Sequence, residues 1–592
     1  MVKLEMENIH KHVGGMMFKI FKPFIPKSIL ASLFKMGEAF CDLSLPLIMA
    51  KIIDIGVSNK DLTYITKMGG IMVAIALVGY ICSIFCNYFS VHSTQNFGSS
   101  LRDKVFTKIQ SFNFVHLNKF TQASLITRIT KDVDQIMNMF LMCIRMVLRG
   151  LVTGIGAVIM AVSINPVLAI LFIFIVPAIV GITMYYMEKS FDIYAEVQKK
   201  LDNLTLVMRE NLTGIRVIRA LSKEKIEAER FKEKNDDLKL KTIEADNLMA
   251  SKLPFITLIM NIGVVAVLWF GGIRVNYGKM HLGEVVAFIN YLNMLLFSMN
   301  ALSFLFTLYS RTAISYRRVK EVLSEDIANM SEEEFERIFT DTVIEFKDVS
   351  FSYDNTDNYI LENINLKIKK GENIGIIGGI GSGKTSLISL IPKFYEVTKG
   401  EILIDGINVN KYKEKELRNK IGIVMQKSFL FSQSIEQNIK WGKEQASDEA
   451  VRNVISIVQG KDFVEKLPDQ YKTEVTKGGT NFSGGQKQRL SIARTLIKEP
   501  EILIFDDSFS ALDFITEYNL KNKLKTYLKN TTILTISQRV ASLMKMDRII
   551  VMDNGKVVGF DSHAALTKNC EIYREICESQ EICIPGGNYC EV

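Results

Sequence analysis

Six long apolar stretches in the N-terminal half of the chain limit its fold more than any other feature of the sequence. Among the 592 residues they lie at approximately 28–53, 65–90, 142–164, 166–187, 253–274 and 284–308. A helix needs about 20 apolar residues to cross the hydrocarbon core of a membrane, and each stretch is long enough for one crossing. The sequence therefore predicts an α-helical N-terminal domain with six membrane spans.

The composition supports a chain made of one membrane part and one water-soluble part. Hydrophobic residues make up 48% of the chain and charged residues 23%, yet the mean hydropathy is +0.16. This excludes a disordered chain, a disulfide-rich scaffold and a single soluble domain. The net charge of +8 comes without a basic, aromatic-studded stripe, so no nucleic-acid partner is expected.

The segments that separate the spans predict the arrangement around the membrane. Residues 91–141 and 188–252 are polar and helix-patterned, so we expect pairs of spans to continue far into the cytoplasm and return. Residues 16–24 interleave Met and Phe with Lys19 and Lys22, which favours an amphipathic helix in the membrane interface. A fraying tail is the alternative for this segment.

Charged residues inside the predicted spans need an explanation, because each costs at least about 2.5 kcal/mol at the bilayer centre. Glu38 and Asp42 share one face of the first span, and Arg145 and Arg149 share one face of the third. Counting residues from the span ends places Glu38 and Arg149 at similar depth. They are expected to form a buried pair or to line a polar cavity, whereas snorkelling to the interface is the alternative, chiefly for Arg145.

The chain divides into five predicted segments. An acidic, apolar-poor linker covers residues 324–341, and alternating strand and helix patterns after it indicate an α/β domain over 342–580. Residues 1–27 form a tail with the interfacial helix, residues 28–323 the membrane domain, and residues 581–592 a C-terminal tail. Cys570, Cys577, Cys583 and Cys590 crowd this end. Reduced thiols are the preferred interpretation and a metal or redox tail is the alternative.

The segment Gly378–Thr385 reads GGIGSGKT and matches the phosphate-loop pattern G-x-x-x-x-G-K-[ST]. It follows a predicted strand, Asn373–Ile377, and precedes a helix predicted to open at Ser386. Backbone N–H groups of such a loop wrap phosphates at a helix N-terminus. The predicted ATP-binding residues are Gly378, Gly379, Ile380, Gly381, Ser382, Gly383, Lys384, Thr385 and Ser386.

A metal site is predicted beside this loop. Lys384 is expected to reach the β- and γ-phosphates, and the Thr385 hydroxyl is expected to ligate Mg²⁺. The apolar run Ile502–Phe505 is typical of a buried parallel strand, and it ends on Asp506. A carboxylate at that position holds the metal through water. ATP and Mg²⁺ are therefore the predicted ligands.

The sequence FSGGQ at residues 482–486 closely resembles the signature motif of ATP-binding cassette (ABC) proteins, with Phe482 in place of the usual Leu. The resemblance covers nearly the whole chain. It implies a six-span α-helical transmembrane domain with long cytoplasmic extensions, followed by an α/β P-loop ABC nucleotide-binding domain, which is the layout of an exporter half-transporter. It also implies dimers in which Ser483, Gly484, Gly485 and Gln486 contact the nucleotide of the second chain.

Other roles are implied by the same resemblance. Tyr353 matches the aromatic residue that stacks on adenine, and Gln426 matches the glutamine that touches Mg²⁺. Residues 510–513 match a dimer-contact loop, and the loops at 113–128 and 210–221 match the regions that hold the coupling helices.

Two catalytic positions depart from the family pattern. Asp507 stands where the family has a catalytic Glu, and Gln538 stands where it has a switch His; Ser508 replaces a frequent Pro or Ala. The shorter Asp507 pulls its carboxylate back by about 1.5 Å, and misplacement by about 1 Å can cost ~10²-fold in rate. Gln538 can bond a γ-phosphate but cannot carry a proton. The chain thus resembles the degenerate-site subunit of bacterial heterodimeric ABC multidrug exporters.

The function predicted from the sequence is ATP-dependent export of a drug-like molecule, lipid or peptide across the bacterial cytoplasmic membrane. Its expected partners are membrane lipid, the transported small molecule and a second half-transporter that carries the intact Glu and His. A non-hydrolytic regulatory subunit or an ATP-gated channel is the alternative, and a soluble P-loop enzyme is a distant third.

Overall fold

The computed structural model describes residues 19–325, 341–354 and 358–582, without the side chains at 300, 302–307 and 310. These residues form two compact units that divide near Asp326, and the segment Phe112–Phe120 belongs to the second unit. Residues 1–18, most of the acidic linker and Cys583 and Cys590 lie outside the described residues.

The first unit is entirely helical in its described part. Its helices are α1 (Ile25–Lys51), α2 (Leu62–Gln110), α4 (Gln122–Ile164), α5 (Pro166–Thr213), α6 (Ile215–Ala220), α7 (Glu224–Asn276) and α8 (Leu282–Leu323), while α3 (Phe114–Lys119) lies in the second unit. Asn165 separates α4 from α5 and caps the start of α5. Its side chain accepts hydrogen bonds from the N–H groups of Val167 and Leu168, each over 3.2 Å. Pro166 at the first helical position needs no such bond.

Five of the described helices are long and apolar enough to cross a membrane: α2, α4, α5, α7 and the Leu282–Met299 part of α8. The first predicted span falls on α1, which has 27 residues but whose apolar sequence is interrupted by Lys35, Glu38 and Asp42. A sixth span therefore stays a prediction. At ~1.5 Å per residue, α2, α5 and α7 are more than twice as long as the ~30 Å hydrocarbon core.

The start of the described chain packs against protein. Ile20 is 3% exposed, and the ring of Phe21 lies 5.3 Å from the ring of Phe97 and 4.5 Å from that of Phe140. These two side chains of the predicted interfacial segment therefore contribute to the helical core.

The second unit contains two sheets. An antiparallel sheet in the order β2-β1-β4-β5 comprises β1 (Thr342–Phe351), β2 (Leu361–Lys369), β4 (Lys399–Ile404) and β5 (Ile407–Asn408). The second sheet has the order β10-β9-β3-β8-β7-β6, with β3 (Asn373–Gly378), β6 (Ile421–Val424), β7 (Ile502–Asp506), β8 (Thr532–Ile536), β9 (Arg548–Asp553) and β10 (Lys556–Asp561). Only β10 runs antiparallel among these six strands of the described chain.

Helices cover the second sheet. They are α9 (Lys384–Leu390), α10 (Glu414–Lys420), α11 (Ile435–Lys440), α12 (Asp448–Ile457), α13 (Lys461–Val464), α14 (Gly484–Leu496), α15 (Phe514–Tyr527), α16 (His563–Asn569) and α17 (Glu571–Ser579). Helix α9 begins at Lys384, two residues before Ser386, where the sequence predicts the helix to begin. The reason is that the last two residues of the phosphate loop, Lys384 and Thr385, already belong to the first helical turn. The carboxyl ends of the parallel strands β3 and β7 meet at one sheet edge, where ligands of α/β folds bind.

Helix α3 packs against the second unit, to which it belongs. The ring of Phe114 lies 4.4 Å from the ring of Phe394, and Asn118 Nδ2 donates a hydrogen bond to the Tyr395 hydroxyl over 3.0 Å. This helix falls within the first loop, 113–128, in which the sequence predicts a coupling helix.

Candidate functional site

The phosphate loop joins β3 to α9 in a path that requires glycine at two positions. Gly383 has φ +93°, and a Cβ there would lie 2.7 Å from Leu361 Cδ2. A Cβ on Gly378 would lie 2.2 Å from the Met552 carbonyl oxygen. A side chain at Gly378 would displace the Met552 backbone, and one at Gly383 would require a strained left-handed φ and would press on Leu361. The loop therefore has the tight shape that suits its N–H groups to binding an anion.

Lys384 folds back over this loop. Its Nζ donates hydrogen bonds to the carbonyl oxygens of Gly378 over 3.0 Å and Gly379 over 2.6 Å. Burial lowers the pKa of the Lys384 ammonium, while the charges of Asp507 and Asp506 oppose that shift. The Lys384 ammonium lies at the opening of the loop, where it can bind a polyphosphate. The phosphate oxygens would then accept the hydrogen bonds that the two carbonyl oxygens accept here.

Thr385 and Asp506 meet across the sheet edge. The Thr385 hydroxyl donates to Asp506 Oδ1 over 3.3 Å, and Asp506 is 5% exposed. Burial raises the pKa of Asp506, the charge of Asp507 raises it further, and the hydrogen bond from Thr385 lowers it. A hydroxyl and a carboxylate are hard oxygen ligands, and together they fit Mg²⁺.

Asp507 follows directly and has the left-handed φ of +46°. Its Oδ2 accepts a hydrogen bond from Gln426 Nε2 over 3.5 Å. Burial raises the pKa of Asp507, and the hydrogen bond from Gln426 with the charges of Arg539 and Lys384 opposes the rise. The structure thus brings the predicted loop glutamine and the predicted catalytic acid into contact.

Ser508 links the end of β7 to the end of the neighbouring strand β6. Its buried hydroxyl donates to the Val424 carbonyl oxygen over 2.7 Å, which ties the end of β7 to the end of β6. A Pro or Ala at this position has no hydroxyl to make that bond.

Tyr353 is fixed in orientation by two contacts. Its hydroxyl lies 2.8 Å from Ser386 Oγ, and its ring packs edge-on against the ring of Tyr395 at 5.0 Å. The residue is still 40% exposed, which leaves ring surface for stacking on a planar base.

The signature segment forms the capped start of α14. Ser483 Oγ accepts from the Gln486 N–H over 3.3 Å, and the Gln486 Oε1 accepts from the Ser483 N–H over 2.9 Å. Ser483 and Gly484 are exposed, and Phe482 is buried in the core. Replacement of Leu by Phe therefore adds core volume and leaves the polar face of the motif open. No hydrogen bond joins this segment to the phosphate loop within the described chain.

Gln538 lies on the loop after β8 and is exposed. Its side chain makes no hydrogen bond to any described residue, but its carbonyl oxygen accepts one from Gln580 Nε2 over 2.8 Å. The neighbouring Arg539 lies 3.8 Å from Glu517.

Comparison with known proteins decides the family. Residues 28–299 match the family described as ABC transporter transmembrane region, and residues 361–510 match the family described as ABC transporter. The uncharacterized ABC transporter ATP-binding protein YfiB of Bacillus subtilis is 34% identical over 562 residues, which cover 94% of this chain and 97% of YfiB. The chain belongs to the ABC transporter family.

Two further relatives of this ABC transporter are informative. The ATP-dependent lipid A-core flippase of Syntrophus aciditrophicus is 29% identical over 93% of this chain and 91% of its own length. A solved structure described as a bacterial Atm1-family ABC exporter with ATP bound superposes with a TM-score of 0.78 at 22% identity, over 94% of this chain and 98% of that one. The transporter therefore has an ABC exporter fold, and it is a multi-pass membrane protein whose nucleotide-binding domain lies on the cytoplasmic side.

In the membrane domain of the transporter Glu38 and Arg149 form an ion pair in which Glu38 is buried and the Arg149 side chain is about half exposed. Arg149 bonds Glu38 over 3.4 Å and Asp42 over 3.0 Å, and Lys35 bonds Glu38 over 2.7 Å. Arg145 is not part of this cluster, since its guanidinium donates to Ser90 Oγ and to the Asn87 carbonyl oxygen.

A cavity of about 650 Å³ adjoins the Arg149 cluster. It is lined by Asp42, Met146, Arg149, Gly150, Thr153, Asn290, Asn293, Met294, Phe297, Ser298 and Ala301. Charged, amide and apolar side chains thus share one cavity.

The C-terminal cysteines give no metal site in the described chain. Cys570 and Cys577 are free, buried thiols that pack with Tyr573, and burial raises the pKa of Cys577. Among the described residues no group of three or more His, Cys, Asp or Glu side chains is arranged to hold a metal ion.

Sequence reasoning missed three contacts around the site: Gln580 with the loop that carries Gln538, Asn118 with Tyr395, and Arg539 with Glu517. Each joins residues far apart in the chain, and no spacing rule relates them. Of these residues, Arg539 could have been singled out from the sequence, because it directly follows Gln538.

Proposed function

We propose that this transporter exports a hydrophobic or amphipathic substrate as one subunit of a heterodimer, and that its own phosphate loop binds Mg²⁺ and ATP but hydrolyses ATP slowly. The observation that carries the proposal is the combination of an intact binding geometry at Lys384, Thr385 and Asp506 with Asp507 and Gln538 at the two catalytic positions.

The geometry of the site supports the following binding roles. Lys384 and the N–H groups of Gly379, Ile380, Gly381, Ser382 and Gly383 bind the phosphates, with Ser386 in the first turn of α9. Thr385, Asp506 and Gln426 hold Mg²⁺, which neutralises phosphate charge when bound. Tyr353 stacks on the adenine ring.

Slow ATP hydrolysis is expected because the Asp507 side chain is short and the Gln538 side chain cannot carry a positive charge. The carboxylate of Asp507 is one methylene shorter than that of Glu, and it bonds Gln426 at 3.5 Å. A retraction of about 1.5 Å leaves the attacking water poorly oriented, at a cost of ~10²-fold. Gln538 cannot supply the positive charge of a protonated imidazole.

The partner is a second, non-identical half-transporter. Ser483 and Gly484 are exposed, and Gly485 and Gln486 are partly exposed. The N–H groups at this helix start and the Ser483 hydroxyl can bind an anion, and in an ABC dimer that anion is the ATP of the other chain. Because this chain supplies a nearly intact signature and a weakened catalytic pair, the productive site requires Glu and His from the partner.

The cavity supports an amphipathic substrate. Met146, Met294 and Phe297 offer adaptable apolar contact, while Asn290 and Asn293 offer amide hydrogen bonds on the same lining. A volume of about 650 Å³ accommodates a drug-sized molecule. The related ATP-dependent lipid A-core flippase agrees with this substrate class, because lipid A is an amphipathic molecule.

Inside-out vesicles test the function. The chain is co-expressed with its partner, and uptake of a fluorescent amphipath is measured with ATP and Mg²⁺. The control is the complex whose partner lacks its catalytic Glu. ATP-dependent accumulation above the external concentration supports export. Equilibration without accumulation would contradict export and support an ATP-gated channel, and no flux at all would support a regulatory subunit.

A further inference from the structure

Gln580, at the C-terminal end of α17, bridges the loop that carries Gln538. Its Oε1 accepts a hydrogen bond from the Val540 N–H over 2.9 Å. Its Nε2 donates a hydrogen bond to the Gln538 carbonyl oxygen over 2.8 Å. One planar amide therefore satisfies two backbone groups that lie on either side of Arg539.

The helix that carries the Gln580 amide is anchored in the core of the domain. Helix α17 is anchored by Tyr573 and Cys577, which are fully buried together with Val540 and Leu543. The Gln580 N–H caps the helix by donating to the Cys577 carbonyl oxygen over 3.1 Å. The position of Gln580 is thus set by the core of the domain.

The Gln538 side chain has no such support of its own. It is exposed and bonds no described residue, so its direction depends on the backbone that carries it. The remaining contacts of the loop hold its neighbours: the Arg539 N–H donates to Ser537 Oγ over 3.0 Å, and Arg539 lies 3.8 Å from Glu517. Gln580 is the described residue that holds the carbonyl of Gln538 itself.

We propose that Gln580 is a positioning residue for Gln538: by clamping the backbone of residues 538 and 540, it fixes the direction from which the Gln538 amide bonds the γ-phosphate. This inference rests on the proposed role of Gln538 as the γ-phosphate contact. ATP and ADP differ in that phosphate, so the clamp increases affinity for ATP and leaves affinity for ADP unchanged.

The test is a double-mutant cycle on nucleotide selectivity. Full-length protein is prepared unmodified, as Gln580→Met, as Gln538→Ala and as the double variant. Methionine keeps the length of the side chain and the helix propensity while removing both hydrogen bonds. Dissociation constants for ATP and ADP are measured with Mg²⁺, together with the melting temperature. Ser579→Ala is the matched control, because Ser579 is the adjacent helix-end residue and bonds only within α17 in the described chain.

We expect Gln580→Met to reduce the ATP-over-ADP preference by about threefold to tenfold, as the loss of ordering by one or two hydrogen bonds implies. Gln538→Ala gives at least the same reduction, and the double variant adds nothing to it. The melting temperature of Gln580→Met falls slightly below that of Ser579→Ala, because the Val540 N–H loses its hydrogen-bond partner, but the affinity for ADP stays unchanged.

Three results would overturn the inference, and they are distinguishable. A reduced preference in Gln538→Ala but not in Gln580→Met refutes the clamp and leaves the proposed function standing. An unchanged preference in Gln538→Ala refutes the γ-phosphate role on which both proposals depend. Equal loss of ATP and ADP affinity in Gln580→Met, with a lowered melting temperature, shows that Gln580 only stabilises the domain.

Discussion

The Thr385 hydroxyl bonds Asp506 Oδ1 over 3.3 Å, although 121 residues separate them in the chain. The contact arises because β3 and β7 both pair with β8 in parallel, so that the residues following their carboxyl ends converge. The fold therefore brings the two predicted metal ligands into direct contact.

Replacing Lys384 by Met should weaken ATP binding by about tenfold to a hundredfold, because charge-assisted hydrogen bonds to phosphate contribute about 1.5–3 kcal/mol. Displacement of a fluorescent ATP analogue measures the effect. The exposed Lys411, replaced in the same way, is the control and should leave affinity unchanged. Equal affinity in the two variants would show that the loop does not bind phosphate through Lys384.

Asp506→Asn should stabilise the nucleotide-free chain at neutral pH. Burial and the charge of Asp507 raise the pKa of Asp506, so the folded state binds the proton more tightly than the unfolded chain. The contribution of this carboxyl to the free energy of unfolding is fully present below its ordinary pKa and is lost as the pH rises through the raised pKa. At neutral pH the charged form opposes folding, and the amide removes that cost. Thermal unfolding of both proteins without nucleotide measures the difference in stability. A lower melting temperature for Asp506→Asn would contradict the prediction.

The same raised pKa predicts a pH dependence of Mg²⁺-dependent ATP binding. Protonation removes the Asp506 ligand, so ATP affinity with Mg²⁺ should fall as the pH is lowered through the raised pKa of Asp506. Above that pKa, Asp506→Asn should bind ATP about tenfold more weakly than the unmodified chain, and its affinity should change little with pH. A pH profile unchanged by the substitution would exclude Asp506 as the titrating group.

Arg149→Met should destabilise the membrane domain and abolish transport. The substitution leaves Asp42 and one oxygen of Glu38 without the guanidinium, although Lys35 still bonds Glu38. Breaking a buried pair costs about 3–5 kcal/mol, and because the Arg149 side chain is 49% exposed we expect about 1–3 kcal/mol.

Two companion variants separate folding from transport. Arg145→Met, which lies one helical turn away and bonds Ser90 and Asn87, should retain transport. Arg149→Met combined with Asp42→Asn should recover stability but not transport. Thermal unfolding in detergent and vesicle uptake provide the readouts, and full transport by the double variant would exclude the cavity from the substrate path.

Asp507→Glu with Gln538→His should raise hydrolysis at the site of this chain by about tenfold or more, since the two changes restore reach and a proton-carrying group. The measurement uses the complex whose partner lacks its catalytic Glu, so that turnover comes from this site. Each single variant serves as control and should give less. No gain in the double variant would place the defect elsewhere in the site.

The sequence was most informative where chemistry is local. The phosphate loop, the acid at the end of β7 and the signature segment are each contained in a few consecutive residues. Counting helical rise placed Glu38 and Arg149 at similar depth but left open whether they pair or line a cavity. The clamp of Gln580 on residues 538 and 540 and the bond between Asn118 and Tyr395 depend on how distant elements pack. The first helix also shows the limit of hydropathy, since paired charges at Lys35 and Glu38 interrupt its apolar sequence.

The proposed function requires that this chain binds ATP without hydrolysing it efficiently and needs a different half-transporter for turnover. Steady-state ATP hydrolysis, measured on the purified full-length chain alone and co-purified with its partner, tests this requirement. We expect the isolated chain to bind ATP but to hydrolyse it no faster than its Lys384→Met variant, and we expect the complex to restore turnover. Rapid hydrolysis by the isolated chain, lost on replacing Asp507 or Gln538 by Ala, would contradict the proposed function.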